Sequence, residues 1–176
     1  MRALGLDPVG DTRAAFRGLC AAMSRPGTRQ AVPEPADRAV LATLVDHEVT
    51  VATSDGKLLR ALDREGRLSE APPQAADILH ARGVPEWDVR DADRGTRIEP
   101  SDGATVVYRV GRWSGTEVTV RGPGVPGERD VEVGLPAAEL DRLAEASADY
   151  PRGVDAVFAA GGQVVALPRS ATLEVR

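Results

Sequence analysis

The sequence predicts an α/β fold with a mixed β-sheet flanked by helices, and three observations support this prediction. Apolar residues with helical spacing occur in the first quarter of the chain and again near residue 140. Segments rich in β-branched residues cluster after residue 103. The length of 176 residues fits one domain, because domains commonly contain about 100 to 200 residues. We therefore predict a single domain over 1–176 in which helices and strands share one core.

The first predicted helix begins at the capping residues Asp11 and Thr12 and ends at 24–27, where a proline and a glycine follow. Its apolar positions recur at i, i+3, i+4 and i+7 and form one stripe, which consists of Phe16, Leu19, Cys20 and Met23. Because it lies on this stripe, the only cysteine, Cys20, is expected to be a buried structural thiol. A second helix, capped by Asp37, leads into a β-rich segment at 49–52.

The middle of the chain, 54–95, has the weakest pattern. The Asp-Gly pair at 55–56 is typical of a turn, and the two prolines at 72–73 interrupt regular structure. After them we predict a short helix that contains Ile78 and Leu79.

The pattern changes at residue 103, where strands replace helices. Segments 105–110 and 116–121 flank a glycine-containing turn and predict a β-hairpin. A glycine-rich loop at 122–127 and a short strand at 130–133 follow.

The last 40 residues predict one helix and three strands. Pro136 fits the first turn of the helix, which carries Leu140 and Leu143 and ends at 150–153. Three apolar segments separated by turns then predict strands at 154–159, 163–167 and 171–175.

The composition excludes several classes of protein. Hydrophobic residues make up 42% and charged residues 28% of the chain, as in an ordinary globular protein. No apolar run approaches the roughly 20 residues that span a bilayer, and the N-terminus lacks a signal peptide, so we expect a cytoplasmic protein. A net charge of -5 argues against a nucleic-acid coat, which needs a surplus of basic side chains.

Metal and cofactor sites are not predicted. His47 and His80 have no partner at the spacing of metal ligands. Lys57 is the only lysine and hence the only residue that could form a Schiff base with pyridoxal phosphate. It lies in a predicted turn instead of at a buried strand end, so no such cofactor is expected.

Two motifs have both a functional and a structural interpretation. Asp46, His47 and Glu48 could perform acid–base chemistry, but a solvent-facing helix end is the more common role of such a cluster. The loop at 122–127 matches G-x-G-x-x-G, yet it contains prolines and no helix follows it, which disfavours a dinucleotide site. An anion-binding turn flanked by Arg121 and Arg129 and a rigid β-connection both remain open.

Arg169 is the main candidate for a ligand or interface residue, because it follows Pro168 at the end of an apolar strand. A guanidinium group suits a phosphate-like ligand, since it donates two hydrogen bonds to one oxyanion. The alternative is an Arg169–Asp155 ion pair that joins the last strands. No catalytic residue is assigned, and the ligand or interface candidates are Arg25, Asp155, Arg169, Arg121 and Arg129.

Several segments together resemble one family, the PhnH subunit of the bacterial carbon–phosphorus lyase system. They are 16–27, 95–105, 150–155 and 167–170, and the loop at 121–124 with Glu128 and Arg129 resembles the family's central glycine loop. The resemblance implies a role in phosphonate catabolism, in which the complex forms ribose 1-methylphosphonate 5-triphosphate from a nucleoside triphosphate and methylphosphonate.

The resemblance also implies a fold like that of pyridoxal-phosphate-dependent transferases without the cofactor site, other carbon–phosphorus lyase subunits as partners, and a homodimer when isolated. The chain would then be an accessory subunit that does not itself catalyse the transfer. Two alternatives remain: a free-standing enzyme that uses the 46–48 cluster or Arg169 on a phosphorylated small molecule, and a phosphonate-binding module with several converging arginines.

Overall fold

The computed structural model describes residues 2–176 and contains four α-helices, four short 3-10 helices and nine strands in that range. The α-helices are α1 (Gly10–Ser24), α2 (Ala36–Leu44), α3 (Gly56–Arg64) and α4 (Ala137–Ala146). The strands are β1 (Gln30–Ala31), β2 (Val51–Thr53), β3 (Ile78–Arg82), β4 (Thr105–Arg109), β5 (Thr116–Arg121), β6 (Arg129–Val133), β7 (Asp155–Ala160), β8 (Gln163–Leu167) and β9 (Thr172–Val175).

The strands form two sheets. A six-stranded mixed sheet has the order β1-β8-β7-β4-β3-β2, and a three-stranded antiparallel sheet has the order β6-β5-β9. In the large sheet β2, β3, β4 and β7 are parallel, whereas β8 and β1 are antiparallel to their neighbours. The prediction of a mixed sheet flanked by helices is therefore confirmed.

Because four of its strands are parallel, the large sheet has two distinct edges where strands begin and end. We call the edge where β2, β3 and β4 end, at Thr53, Arg82 and Arg109, the carboxyl edge. The opposite edge, which includes the start of β7 at Asp155 and the end of β8 at Leu167, is the amino edge.

The core has two layers, one on each face of the large sheet. Helices α1, α2 and α3 cover one face and bury residues such as Leu19, Leu41 and Leu58. The small sheet and α4 cover the other face. Helix α4 is attached to the large sheet by a buried hydrogen bond in which the Tyr108 hydroxyl donates to Glu139 over 2.8 Å.

Helix α1 forms where it was predicted, but it buries a different face. The buried residues are Ala15, Gly18, Leu19 and Ala22. Phe16 is 56% exposed and Cys20 is exposed, so the prediction of a buried structural thiol is wrong. The small residues face β1 because a close approach there excludes large side chains: a Cβ atom on Gly18 would lie 2.6 Å from the Ala31 carbonyl oxygen.

Asp37 and Asp55 have roles other than those that the sequence predicts. Asp37 lies in the first turn of α2, whose N-cap position is Pro35. The Asp-Gly pair that predicted a turn begins α3 instead: the Asp55 carboxylate accepts hydrogen bonds from the amides of Lys57 and Leu58. Lys57 therefore belongs to the first turn of a helix and not to a loop.

Two further predictions about strands are wrong. Ile78 and Leu79 belong to β3, which is buried on both faces; an apolar segment of this kind lacks the alternation by which sequence distinguishes a strand from a buried helix. The predicted hairpin is also absent, because β4 pairs with β3 and β7 while β5 pairs with β6 and β9. The three C-terminal strands are confirmed. Within residues 2–176 no helix has the length and apolarity to cross a membrane.

Candidate functional site

The amino edge brings together the segments on which the family resemblance is based. Arg169, after β8, is its centre, and its side chain is only 14% exposed. The Arg169 Nη2 atom lies 2.6 Å from Oδ2 of Asp155, and its Nε and backbone amide donate to Oδ1 of the same carboxylate. Nη1 donates to the carbonyl oxygen of Pro100, and Nη2 also donates to that of Gly103.

Glycines allow the loops around Arg169 to pack this closely. A Cβ atom on Gly103 would lie 2.5 Å from Nη1 of Arg169 and 2.5 Å from the Gly153 carbonyl oxygen. The Gly153 amide in turn donates to the Arg94 carbonyl oxygen over 2.9 Å. The segments 95–105 and 150–155 therefore form one unit around the arginine.

The glycine loop 122–127 connects this unit to the end of α1. A Cβ atom on Gly122 would lie 3.0 Å from the Ser170 carbonyl oxygen, and the backbone of Gly124 contacts that of Ser24. The neighbouring Arg129 donates from Nη1 to the Pro26 carbonyl oxygen. The loop is thus a packed connection between segments that are distant in sequence.

The other predicted arginines lie near this loop, and each already has a partner. Arg121 forms ion pairs with Glu128 at 2.7 Å and with Glu174 at 2.8 Å. Arg25 donates from Nη2 to the Gln30 side chain over 3.4 Å. The structure therefore contains the Arg169–Asp155 ion pair and does not direct the four predicted arginines toward one oxyanion.

Beside Arg169, the amino edge presents apolar surface. Tyr150 is 65% exposed and Ile98 is 92% exposed. Tyr150 and Arg169 both line a cavity of about 320 Å³, which has Leu143, Val154 and Leu173 on its walls. Large exposed apolar groups next to a concave surface are typical of binding sites.

The carboxyl edge contains a buried polar network. His80 on β3 is 1% exposed, and its Nδ1 atom lies 2.9 Å from the Thr53 hydroxyl oxygen. Its Nε2 atom is 3.3 Å from Oδ2 of Asp37, and neither of these two atoms has another hydrogen-bond partner in the described residues. The Thr53 hydroxyl oxygen also accepts a hydrogen bond from the Asp55 amide over 3.1 Å.

The hydrogen-bonding capacity of Asp37 shows which nitrogen atom of His80 carries a hydrogen. Asp37 as a carboxylate can only accept, so Nε2 of His80 carries the hydrogen that faces it. On the other side of the ring, the Nδ1 atom forms a hydrogen bond with the Thr53 hydroxyl. Burial by itself would raise the pKa of Asp37, but the imidazole of His80 and the guanidinium of Arg109 outweigh burial and hold that pKa below its ordinary value.

Sequence reasoning missed this network. His80 stands within an apolar segment, between Leu79 and Ala81, which is the one signal of its burial. Its partners come from α2 and β2, and nothing in their spacing along the chain indicates the contact. By contrast, His47 and Glu48 are exposed, and the Asp46 carboxylate accepts from the amides of Glu48 and Val49 as in a turn.

No cluster of three or more His, Cys, Asp or Glu side chains within residues 2–176 could hold a metal ion. The polar network at the carboxyl edge is built from one histidine, one carboxylate and one hydroxyl, and its atoms face one another.

The comparison with known families shows to which family the chain belongs. A family model described as bacterial phosphonate metabolism protein (PhnH) matches residues 5–174. The chain belongs to the PhnH family. The resemblance predicted from the motif segments is thus confirmed over nearly the whole chain.

Two curated relatives of this PhnH-family chain agree with that assignment. One is the putative C-P lyase subunit protein HtxG of Stutzerimonas stutzeri, which is 31% identical and aligns over 92% of this chain and 85% of its own length. The other is the alpha-D-ribose 1-methylphosphonate 5-triphosphate synthase subunit PhnH of Rhizobium meliloti (strain 1021). It is 32% identical and aligns over 96% of this chain and 92% of its own length.

Proposed function

We propose that this protein is an accessory subunit of a carbon–phosphorus lyase complex in phosphonate catabolism. In this role it helps to form ribose 1-methylphosphonate 5-triphosphate from a nucleoside triphosphate and methylphosphonate, and it supplies no catalytic group of its own. The observation that carries the proposal is the alignment of almost the entire chain with two relatives that are named as subunits of such systems.

The partner subunits dock at the amino edge. The segments that carry the family resemblance meet there, and the exposed side chains of Ile98 and Tyr150 lie outside the packed unit around Arg169. Of the predicted site residues, Arg169 and Asp155 shape this surface. Arg121 and Arg129 flank the neighbouring glycine loop and contact Glu128 and Pro26, and Arg25 contacts Gln30. A stable interface buries roughly 1,600 Å² in total, which requires more than two side chains. Ile98 and Tyr150 are the apolar anchors of that larger surface.

In the absence of its partners the protein forms a homodimer through the outer face of α1. Phe16 lies on this face, and Val9, just before the helix, is 65% exposed. Both line a shallow groove with Pro8 and Arg13. A second copy of the chain would remove these apolar groups from water, which is favourable in proportion to the apolar area buried.

The fold relationship to pyridoxal-phosphate-dependent transferases is part of the same proposal. Lys57 supports the absence of the cofactor, because its side chain is exposed at the first turn of α3. A Schiff-base lysine is normally activated by desolvation in an apolar pocket.

Gene deletion tests the assignment to a carbon–phosphorus lyase. We expect a deletion strain of the host to lose growth on methylphosphonate as the sole phosphorus source and to keep growth on phosphate. We also expect the tagged protein to co-purify the other subunits. Unchanged growth on methylphosphonate, together with a protein that retains none of those subunits, would instead favour a free-standing phosphate- or phosphonate-binding protein or enzyme.

Point variants test the docking surface. The double variant Ile98→Asp/Tyr150→Asp places two charges on the amino edge and should abolish co-purification without changing the melting temperature of the isolated protein. Phe16→Asp is the matched control on α1, and it should leave co-purification intact while it converts the homodimer into a monomer in light scattering. Normal co-purification of the amino-edge variant would contradict this placement.

A further inference from the structure

The carboxyl edge concentrates positive charge in a protein whose net charge is -5. Helices α2 and α3 both begin there, because α2 runs toward the start of β2 and α3 follows its end. Arg82 and Arg109 stand side by side at the ends of β3 and β4. Like charges directly opposite one another on neighbouring strands destabilise a sheet. A bound anion would offset this repulsion.

The cations at this edge have few partners. Arg109 lies 3.9 Å from Asp37, and Arg38 lies 3.6 Å from Asp55. Among residues 2–176, no ion pair occupies Lys57, Arg60 or Arg82 within 4.0 Å, although Arg121 at the other edge has two short ones. The hydrogen-bond donors of these three side chains are therefore available to a ligand.

These three cations line one shallow groove. Its wall is formed by Lys57, Arg60 and Arg82 together with Ser54, Asp55 and Gly56. Asp55 is buried and interacts electrostatically with Arg82, and it is the only carboxylate in this wall, so the groove keeps an excess of positive charge. Two backbone amides at the start of α3 are not available to bind an anion in the groove, because they already donate to the Asp55 carboxylate over 2.9 and 3.2 Å. Recognition of an anion therefore depends on the cationic side chains.

A deeper cavity continues from the groove. It has a volume of about 420 Å³ and shares Ser54 and Arg82 with the groove. Trp87, Val84 and Pro85 give it an apolar wall, the buried His80 closes its inner side, and the exposed Glu70 and Glu86 lie at its rim. A volume of this size holds a small organic molecule.

We propose that the carboxyl edge binds a small organic molecule that carries a terminal phosphoryl group. Arg82, Lys57 and Arg60 hold the phosphoryl oxygens in the groove, and the organic part enters the cavity beside Trp87. Guanidinium and ammonium groups recognise phosphate esters and phosphonates alike, because both present an oxyanion with several acceptor oxygens. The carboxyl ends of parallel strands are also where open α/β sheets bind ligands.

The buried network acts as a positioning element for this site. Thr53 and His80 both line the cavity, and the bonds of His80 to Thr53 and Asp37 fix the wall between them. These residues make no proposed contact with the phosphoryl group. The proposal goes beyond membership of a carbon–phosphorus lyase and does not depend on it.

Fluorescence of the isolated full-length protein tests the site. The chain has two tryptophans, so the variant Trp113→Phe leaves Trp87, inside the cavity, as the sole reporter. The probes are ribose 5-phosphate, methylphosphonate, inorganic phosphate and, as the uncharged control, ribose. We expect a saturable change with ribose 5-phosphate or methylphosphonate and none with ribose; which of the two saturates identifies a phosphate ester or a phosphonate as the ligand.

Charge-neutral variants then locate the binding site. Arg82→Gln should weaken binding at least about tenfold, which corresponds to the loss of roughly one charge-assisted hydrogen bond. Arg17→Gln removes an exposed arginine from α1 and should leave the affinity unchanged. The proposal is overturned if no probe gives a saturable response up to about 10 mM, or if the two variants weaken binding equally, because a general charge effect would then explain the response.

Discussion

Arg169 shows how one side chain can join several distant segments. Each of its three guanidinium nitrogens donates to a protein acceptor, and the acceptors come from β7 and from the loop at 100–103. The guanidinium and the Asp155 carboxylate are both largely buried. A residue with these contacts stabilises the amino edge.

We therefore predict that Arg169→Ala lowers the stability of the protein. Breaking a buried pair leaves a carboxylate without its partner and costs about 3 kcal/mol. For a chain of this length that loss lowers the melting temperature by roughly 6–12 °C. Differential scanning calorimetry measures it. Arg97→Ala, which breaks the exposed Arg97–Asp149 pair, is the control and should cost less than about 1 kcal/mol. Equal melting temperatures for the two variants would show that Arg169 has no structural role.

Asp37 makes the stability of the protein depend on pH. Its pKa is lower in the folded protein than in the unfolded chain, because His80 and Arg109 outweigh the effect of burial. A carboxyl group of this kind contributes stability above its unfolded pKa of about 4, and the contribution disappears as the pH falls through the lower, folded pKa.

Asp37→Asn should remove this part of the pH dependence. We predict that the variant is less stable than the wild type at pH 7 and that the difference in the free energy of unfolding shrinks at about pH 3. Urea unfolding at both pH values measures the difference. Other carboxylates, such as Asp88 with a pKa of about 2, titrate equally in both proteins and cancel. A difference that stays constant with pH would contradict the assignment.

At the scale of elements, α1 shows why an apolar pattern can indicate the right helix and the wrong face. Large residues dominate a sequence pattern, so the stripe of Phe16 and Cys20 predicted the buried side. The structure instead buries the side with Gly18, because α1 closely approaches the Ala31 backbone and the Val32 side chain.

Gly18→Ala tests this close approach. Alanine favours a helix over glycine by about 1 kcal/mol, yet its Cβ atom would lie 2.6 Å from both the Ala31 carbonyl oxygen and Val32. We predict a net loss of stability of about 1–3 kcal/mol, measured by urea unfolding. Gly10→Ala in the first turn of the same helix meets only Asp7, at 3.5 Å, and should be neutral or stabilising. A stabilised Gly18→Ala variant would show that α1 can move away from β1.

The sequence predicted local elements better than their pairing. The strands β7, β8 and β9 carry turn residues between them and were placed correctly. The sequence did not predict strand β3, because its partners β2 and β4 come from distant parts of the chain. The same limit applies to the sites. The Arg169–Asp155 pair spans 14 residues and is one of the two roles that the sequence predicts for Arg169, whereas His80 contacts Asp37 across 43 positions and between a strand and a helix.

At the scale of the whole molecule, the two edges of the large sheet have different surface chemistry and suit different ligands. The amino edge contains satisfied arginines, tightly packed glycines and exposed apolar groups, which suit a protein partner. The carboxyl edge contains unpaired cations and a cavity, which suit a small anion. The strands β2, β3 and β4 separate them, so we expect little energetic coupling between variants at opposite edges.

This separation predicts that a variant at one edge removes the function of that edge and leaves the function of the other edge intact. Ile98→Asp/Tyr150→Asp should lose co-purification with the partner subunits and keep the Trp87 response to a phosphoryl ligand. Arg82→Gln should lose the response and keep co-purification, because Arg82 lies on the opposite edge from Tyr150. The combination of all three substitutions should show both defects, and the changes in the free energy of unfolding should add to within about 0.5 kcal/mol. If Arg82→Gln also releases the partner subunits, the two edges act as one site, and the ligand is then part of the interface.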